Sequence, residues 1–259
     1  IATSNGTSAL HIGLKLMGVD KNSEVITQPL TFVATVNAIK YCNANPVFVD
    51  VDRETLGLSP LKLKEFLEEF AFLNDDGKCI NRSTNKIIKA CVPMHTFGHP
   101  CKIDEIVEIC SSYNIAVVED AAESLGSYYK GQHTGSFGKM GVFSFNGNKI
   151  ITTGAGGMLV TDDERLAIAA KHITTTAKVA DSYEYIHDEI GYNYRLTNIA
   201  AALGVAQMEK IHSIVDKQRN LAKKYEGFFR EQDVDFIGEP KNSQSNYWLN
   251  AITLSDRKT

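Results

Sequence analysis

The sequence predicts an α/β fold, a mostly parallel (mixed) central sheet covered by helices on both faces. Short apolar runs of strand length alternate with longer stretches whose apolar residues recur at i, i+3, i+4 and i+7. Two of those runs, Pro46–Asp50 and Val117–Asp120, end in an acidic residue. Glycine-rich turns follow the later ones. Repeated strand, helix, strand units of this kind give parallel sheets with ligands at the strands' carboxyl ends.

Taken in order, the chain opens on a strand-to-helix loop, Ile1 to Thr7, and the helix after Gly6 puts Leu10, Leu14 and Met17 on one face. Glu24–Gln28 reads as a short strand. Thr31–Cys42 reads as a helix with Phe32, Thr35, Val36 and Ile39 at helical spacing, and Pro46–Asp50 as a buried strand. A helix is expected over Pro60–Phe72, with Leu61, Leu63 and Leu67 apolar; the polar stretch Asp75–Asn85 reads as a surface loop. Ile87–Pro93 is a strand, Ile103, Ile106, Val107 and Cys110 mark a helix, and Ile115–Glu119 and Val142–Phe145 are further strands. Leu196, Ile199, Ala200 and Leu203, then Ile211 and Ile214, mark late helices, and Tyr247–Leu254 reads as a new strand. The ends suggest a segment of a longer chain, with a large domain over 1–220 and the start of a small carboxyl-terminal domain over 221–259.

Composition bounds the function. With 259 residues, 43% of them hydrophobic and 22% charged, the chain can bury a substantial core. A net charge of -4 offers no basic stripe for nucleic acid. No apolar run is long enough to span a membrane and none resembles a signal peptide, so the cytoplasm is the expected location. The five cysteines, Cys42, Cys79, Cys91, Cys101 and Cys110, are odd in number, lack a Cys-x-x-Cys pair and sit in apolar segments, which favours reduced thiols. His95 and His99 beside Cys101 fall short of a metal-ligand set, and no metal is expected.

The stretch Val117 to Met158 carries the chemistry. Asp120 ends a buried strand, Lys149 sits in a turn after the strand bearing Ser144, and Gly154-Ala155-Gly156-Gly157 lets backbone approach closely. Gly6-Thr7-Ser8 stands where a helix begins, offering amides and the positive end of the helix dipole to a phosphate, or serving as an ordinary cap. All of these fall at one edge of the sheet. A lysine amine bonds covalently to the aldehyde of pyridoxal phosphate and, once displaced, can shuttle a proton. A carboxylate keeps the pyridine nitrogen charged, a part suited to Asp120. Phe32 can lie against the ring or pack in the core.

The segments Asn5–Leu10, Thr31–Thr35, Glu119–Gly126, Ser144–Lys149 with Thr152-Thr153-Gly154, and Gly191–Leu196 resemble the DegT-type sugar-nucleotide aminotransferases, in the family's order over nearly the whole chain. The resemblance implies the aspartate-aminotransferase (type I) fold and pyridoxal 5′-phosphate as cofactor, with pyridoxamine 5′-phosphate as its amino form. It further implies a homodimer and transfer of an amino group, usually from glutamate, to a nucleotide-linked keto sugar. Lys149 matches the lysine that carries the cofactor, and Asp120 the partner of the ring nitrogen. Ser144 and Gly6-Thr7 match the phosphate-binding positions, Phe32 the ring-stacking position, and Ala122 a cofactor contact beside Asp120. Asn193 matches an asparagine that reaches the cofactor phosphate of the partner subunit. Glu123 departs from the glutamine that many members place near the phenolic oxygen, and Ala155 from the more usual glycine or glutamate.

Pro93–Pro100, Ser144–Lys149 and Glu184–Gly191 look like the bacterial enzymes that aminate C4 of a UDP-linked 4-keto-6-deoxy-N-acetylhexosamine for legionaminic acid or bacillosamine synthesis, which makes His95, Tyr185 and His187 candidate substrate contacts. Two rivals stay open. A sugar dehydratase shares the scaffold but resembles a variant with histidine in place of the lysine, and a catalytically inactive regulatory protein would lack the chemistry.

Overall fold

A computed structural model describes residues 1–181, 183–232 and 234–254. The strands in chain order are β1 (Ala2–Thr3), β2 (Ser23–Thr27), β3 (Asn45–Phe48), β4 (Ala71–Leu73), β5 (Cys79–Asn81), β6 (Ile87–Val92), β7 (Ala116–Asp120), β8 (Tyr128–Tyr129), β9 (Gln132–His133), β10 (Met140–Ser144), β11 (Gly157–Val160), β12 (Asp235–Phe236), β13 (Ser243–Gln244) and β14 (Ile252–Thr253). The helices are α1 (Gly6–Leu16), α2 (Val33–Tyr41), α3 (Pro60–Phe70), α4 (Ile103–Ser112), α5 (Glu164–Thr174), α6 (Asn198–Met208) and α7 (Ile211–Glu231). The main sheet runs β1-β11-β10-β7-β6-β2-β3. Its centre, from β10 to β3, is parallel; β11 runs against it, pairing antiparallel with β10 and β1, and β5 pairs antiparallel with β6 and with β4. The sheet is therefore mixed and mostly parallel, as the alternation predicts.

Both faces are covered, which is why successive residues of the central strands, Val25 and Ile26 or Val117 and Val118, are buried on opposite sides of the sheet. On one side α1, with Leu10, Ile12 and Leu14 buried, packs against Val118, Met140, Val142 and Leu159. On the other, Leu63 and Leu67 of α3 and Ile103, Ile106 and Cys110 of α4 cover Ile26, Ile88 and Val117. Since these strands are parallel, the carboxyl ends of β6, β7 and β10 open on one edge. That edge positions the site. Among the described residues no helix is long and apolar enough to cross a membrane, and the five cysteines are free and buried.

Several boundaries differ from the expectation, each for a physical reason. The helix expected over Thr31–Cys42 starts at Val33 and leaves Phe32 as its extended cap residue. The polar stretch Asp75–Asn85 is not wholly a surface loop, because Cys79–Asn81 forms the buried strand β5 and Asn81 Nδ2 donates to buried Glu24 at 2.7 Å. Three residues are too few for a period to show. The helix expected over Pro60–Phe72 ends at Phe70, with Leu63 and Leu67 buried and Leu61 exposed. The strand expected over Tyr247–Leu254 is reduced to Ile252–Thr253, since side chains take the preceding amides: Ser127 Oγ accepts from Asn246 and Asn246 Oδ1 from Trp248. Late in the chain α7 runs unbroken from Ile211 to Glu231. Arg257, Lys258 and Thr259 lie outside the described residues.

Candidate active site

Asn5 begins the site. Its side chain accepts from Ser8 N–H at 2.8 Å and caps α1, while the first-turn amides of Gly6 and Thr7 have no partners within the helix. Gly157 makes room for this cap, because a Cβ there would run into the Asn5 backbone. Beside the helix end, Ser144 closes β10 and Asp120 closes β7. Gly6, Thr7, Phe32, Asp120, Ala122, Glu123, Ser144 and Lys149 all line one cavity of about 270 Å³, which Trp248 also borders. The structure thus brings eight of the positions singled out in the sequence to one place.

Asp120 is fixed at both oxygens. Thr35 Oγ1 donates to Oδ2 at 2.6 Å, and the Ala122 amide donates to Oδ1 at 3.2 Å. Thr31 Oγ1 lies 2.8 Å from Thr35 Oγ1 and so can pass the chain of hydroxyls outward. Burial pushes the Asp120 carboxyl above its ordinary value, opposed by these two hydrogen bonds and by the charge on Lys149. Phe32, at 64% exposure, is no core residue: it borders the cavity.

Lys149 Nζ lies 3.5 Å from Glu123 Oε1 and 3.7 Å from the centre of the Trp248 ring. Burial lowers the lysine pKa, and the carboxylates of Glu123 and Asp120 oppose the shift without cancelling it. Burial likewise pushes Glu123 up to about 7, against Lys149 and the Phe97 amide, which donates to Oε2 at 2.8 Å. A half-buried lysine whose charged form is disfavoured by its surroundings is poised as a nucleophile. Glu123→Gln keeps the acceptor for Phe97 and removes the negative charge that holds the proton on Lys149. The pH at which half the amine is free for an aldehyde then moves downward. Visible absorbance of the protein with pyridoxal 5′-phosphate, followed against pH, checks this; an unmoved or higher midpoint would show that Glu123 does not set the amine's charge.

His95 is corrected by its surroundings. Its side chain is fully buried, its Nδ1 accepts from the Cys101 amide at 3.2 Å, and its Nε2 faces Glu119 Oε2 at 3.0 Å. With Nδ1 occupied as an acceptor, the neutral ring carries its proton on Nε2 and donates it to Glu119. No nitrogen is left for a substrate. Glu119 also accepts from the amides of Gly135, Phe137 and Gly138; burial raises its pKa, but His95 and these amides outweigh it and hold the carboxyl below the ordinary value.

Asn193, Tyr185 and His187 do not line this cavity. They belong to the strap 175–193, in which Thr175 bridges Asn193 and Lys178 bridges His187. Asn193 and Tyr185 are exposed, with Lys178 Nζ 3.8 Å from the Tyr185 ring centre, and His187 Nδ1 donates to Thr176 O at 2.7 Å. His172 Nε2, 2.7 Å from Asp188 Oδ1, ties the strap to α5. Sequence reasoning missed Thr35, Asn5 and Trp248. Thr35 carried a signal, as a hydroxyl on a helix face expected to be buried; Trp248 carried none, since it is distant in sequence and sits in a segment read as a strand.

The family model described as DegT/DnrJ/EryC1/StrS aminotransferase family matches residues 1–259. EpsN of Bacillus subtilis (strain 168), named among the pyridoxal phosphate-dependent aminotransferases, is 41% identical over 98% of this chain and 63% of its own length. GDP-perosamine synthase of Escherichia coli O157:H7 is 42% identical over 96% of this chain and 63% of its own. The chain therefore spans somewhat less than two thirds of these relatives. Among solved structures, an aminotransferase of the same family from Brucella abortus superposes with a TM-score of 0.89 at 26% identity, covering 100% of this chain and 66% of the other.

Proposed function

Because the chain belongs to the DegT/DnrJ/EryC1/StrS aminotransferase family, we propose that the protein binds pyridoxal 5′-phosphate in the cavity between Phe32 and Trp248 and transfers an amino group, from glutamate, to a keto sugar carried on a nucleotide. One observation carries the reading. The Lys149 amine, the Asp120 carboxylate and the amino end of α1 line a single cavity, and those are the three groups the cofactor needs for its aldehyde, its ring nitrogen and its phosphate. When bound, the cofactor supplies an aldehyde for amines and a cationic ring that draws electrons from the neighbouring carbon.

The chain's own residues do the rest. The first-turn amides of α1, with the hydroxyls of Thr7 and Ser144, bind the phosphate dianion at the positive end of the helix dipole. Asp120, oriented by Thr35 and the Ala122 amide, holds a proton on the ring nitrogen. Phe32 offers its face to the ring, and Glu123 faces the amine. Lys149 is the nucleophile, and once displaced by substrate its amine takes a proton from one carbon and returns it to another. A lysine at this position disfavours the dehydratase reading, and an intact cavity disfavours the inactive regulator.

The finer reading is C4 amination of UDP-4-keto-6-deoxy-N-acetylglucosamine for a bacterial surface glycan. It rests on the segments 93–100 and 184–191. A GDP-linked keto sugar is the second reading, favoured by the name of the 42% identical relative. We further place the site at the boundary of a homodimer: α6 buries none of its residues and exposes Ile199, Leu203 and Val205, and Asn193, outside its own chain's cavity, is free to reach the partner's. Purified protein, given glutamate and a panel of UDP- and GDP-linked 4-keto sugars, is expected to aminate the UDP-linked sugar. Turnover of GDP-linked sugars alone would establish the second reading; no turnover, with the absorbance of added pyridoxal 5′-phosphate unchanged from that of the free cofactor, would refute both.

A further inference from the structure

The Lys149 amine and the nitrogen to be transferred attach in turn to the same aldehyde carbon, so Lys149 Nζ marks the place of the transferred nitrogen. The substrate's reacting carbon lies one bond beyond it. Trp248, whose ring centre is 3.7 Å from Nζ, therefore stands beside the first atoms of any substrate. Its exposure is intermediate, which leaves part of the indole open to the cavity that it borders.

This indole is a fixed wall. Nε1–H donates to Asn148 O at 2.6 Å, and the Trp248 amide donates to Asn246 Oδ1 at 2.8 Å. Asn246 is wholly buried. Its Nδ2 donates to Glu123 O and Leu125 O at 2.8 and 2.9 Å, and its own amide to Ser127 Oγ at 2.9 Å. Gly98 closes over this anchor in the left-handed region, at φ 92°, where a Cβ would collide with Asn246 Oδ1. The same turn sends the Phe97 amide to Glu123, so one hydrogen-bonded unit positions both the carboxylate and the indole around Lys149.

We propose that Trp248 is a specificity-determining residue, the platform on which the hexose ring of the substrate lies. This rests on the reading of the protein as a sugar-nucleotide aminotransferase. A pyranose presents a face of C–H groups, weakly positive and apolar, which matches the negative face of an indole. Glutamate, a short flexible acid, has no such face. The wall therefore acts on one of the two halves of the reaction: it holds the sugar in line with the amine and contributes little to the donor.

The test separates those halves in the purified protein. The donor half is followed by visible absorbance of the pyridoxal 5′-phosphate form with glutamate, the sugar half by the pyridoxamine 5′-phosphate form with a UDP-linked 4-keto-hexose. Trp248→Ala is expected to raise the KM of the sugar half by about tenfold or more and to affect the donor half by a clearly smaller factor; Trp248→Phe, which keeps a ring, restores most of the loss. Trp248 is the single tryptophan of the sequence, so its emission in the unsubstituted protein is expected to fall when pyridoxal 5′-phosphate binds. Unquenched emission on saturation with cofactor overturns the placement of the indole, and equal loss in both halves, or in neither, overturns its role. A parent protein that runs the donor half but no nucleotide-linked keto sugar, UDP or GDP, sinks the functional reading and this proposal together; normal turnover of the sugar by Trp248→Ala sinks the proposal alone.

Discussion

Lys149→Ala is expected to lower transamination by on the order of 10⁴-fold or more while leaving a folded protein. The substitution removes both the nucleophile and the base that moves the proton, and among the described residues no second lysine lines the cavity. The fold should survive because Lys149 belongs to none of the hydrophobic clusters of the core. What it leaves behind is Glu123, buried and deprived of its cation. That carboxyl, already at about 7, rises further and stays protonated near neutral pH, which spares the protein a buried unpaired charge. Steady-state rates with glutamate and a nucleotide-linked keto sugar, read beside a thermal melt, check both halves of the statement. Turnover retained by the variant would remove Lys149 from the mechanism.

Asp120→Asn should cost on the order of 10²- to 10³-fold in turnover, the loss typical of removing one preorganised electrostatic partner from a site. The shapes match, and Thr35 can reverse its hydroxyl to accept from the new amide. Packing at the end of β7 is thus preserved. The change falls on the ring nitrogen, which an amide cannot keep protonated. A cofactor analogue methylated at that nitrogen carries its charge permanently, so it should recover a large part of the lost rate in Asp120→Asn and little in the unsubstituted protein. Failure of the analogue to distinguish the two proteins would mean that Asp120 serves the fold and not the ring.

Most of the architecture was legible because its signals are local. The spacing of Ile103, Ile106 and Cys110 places α4, and the continuous apolar run of Val117 and Val118 marks a strand covered on both faces. The same locality explains the omissions. β11 follows a glycine-rich turn and is only four residues long, too short for its pattern to stand out. The Tyr247–Leu254 segment has a strand's composition, yet the amides at its start are taken by the side chains of Ser245 and Asn246, and only Ile252–Thr253 pairs with a neighbouring strand.

Within the site, the sequence by itself determined the chemistry: a lysine, a carboxylate and a capped helix start, each placed at a strand or helix end by periodicity and turn residues. Which groups share the cavity was decided only by the tertiary structure. His95 lies beside β7 yet spends both ring nitrogens inside the protein, whereas Phe32, at helical spacing with core residues, is left outside the core as a cap. Trp248 reaches Asn148 across 100 residues of chain. Helix and strand periods report which side of an element is apolar. Competition among donors and acceptors that meet only after the sheet has assembled settles which polar groups are consumed by the fold and which remain for a ligand.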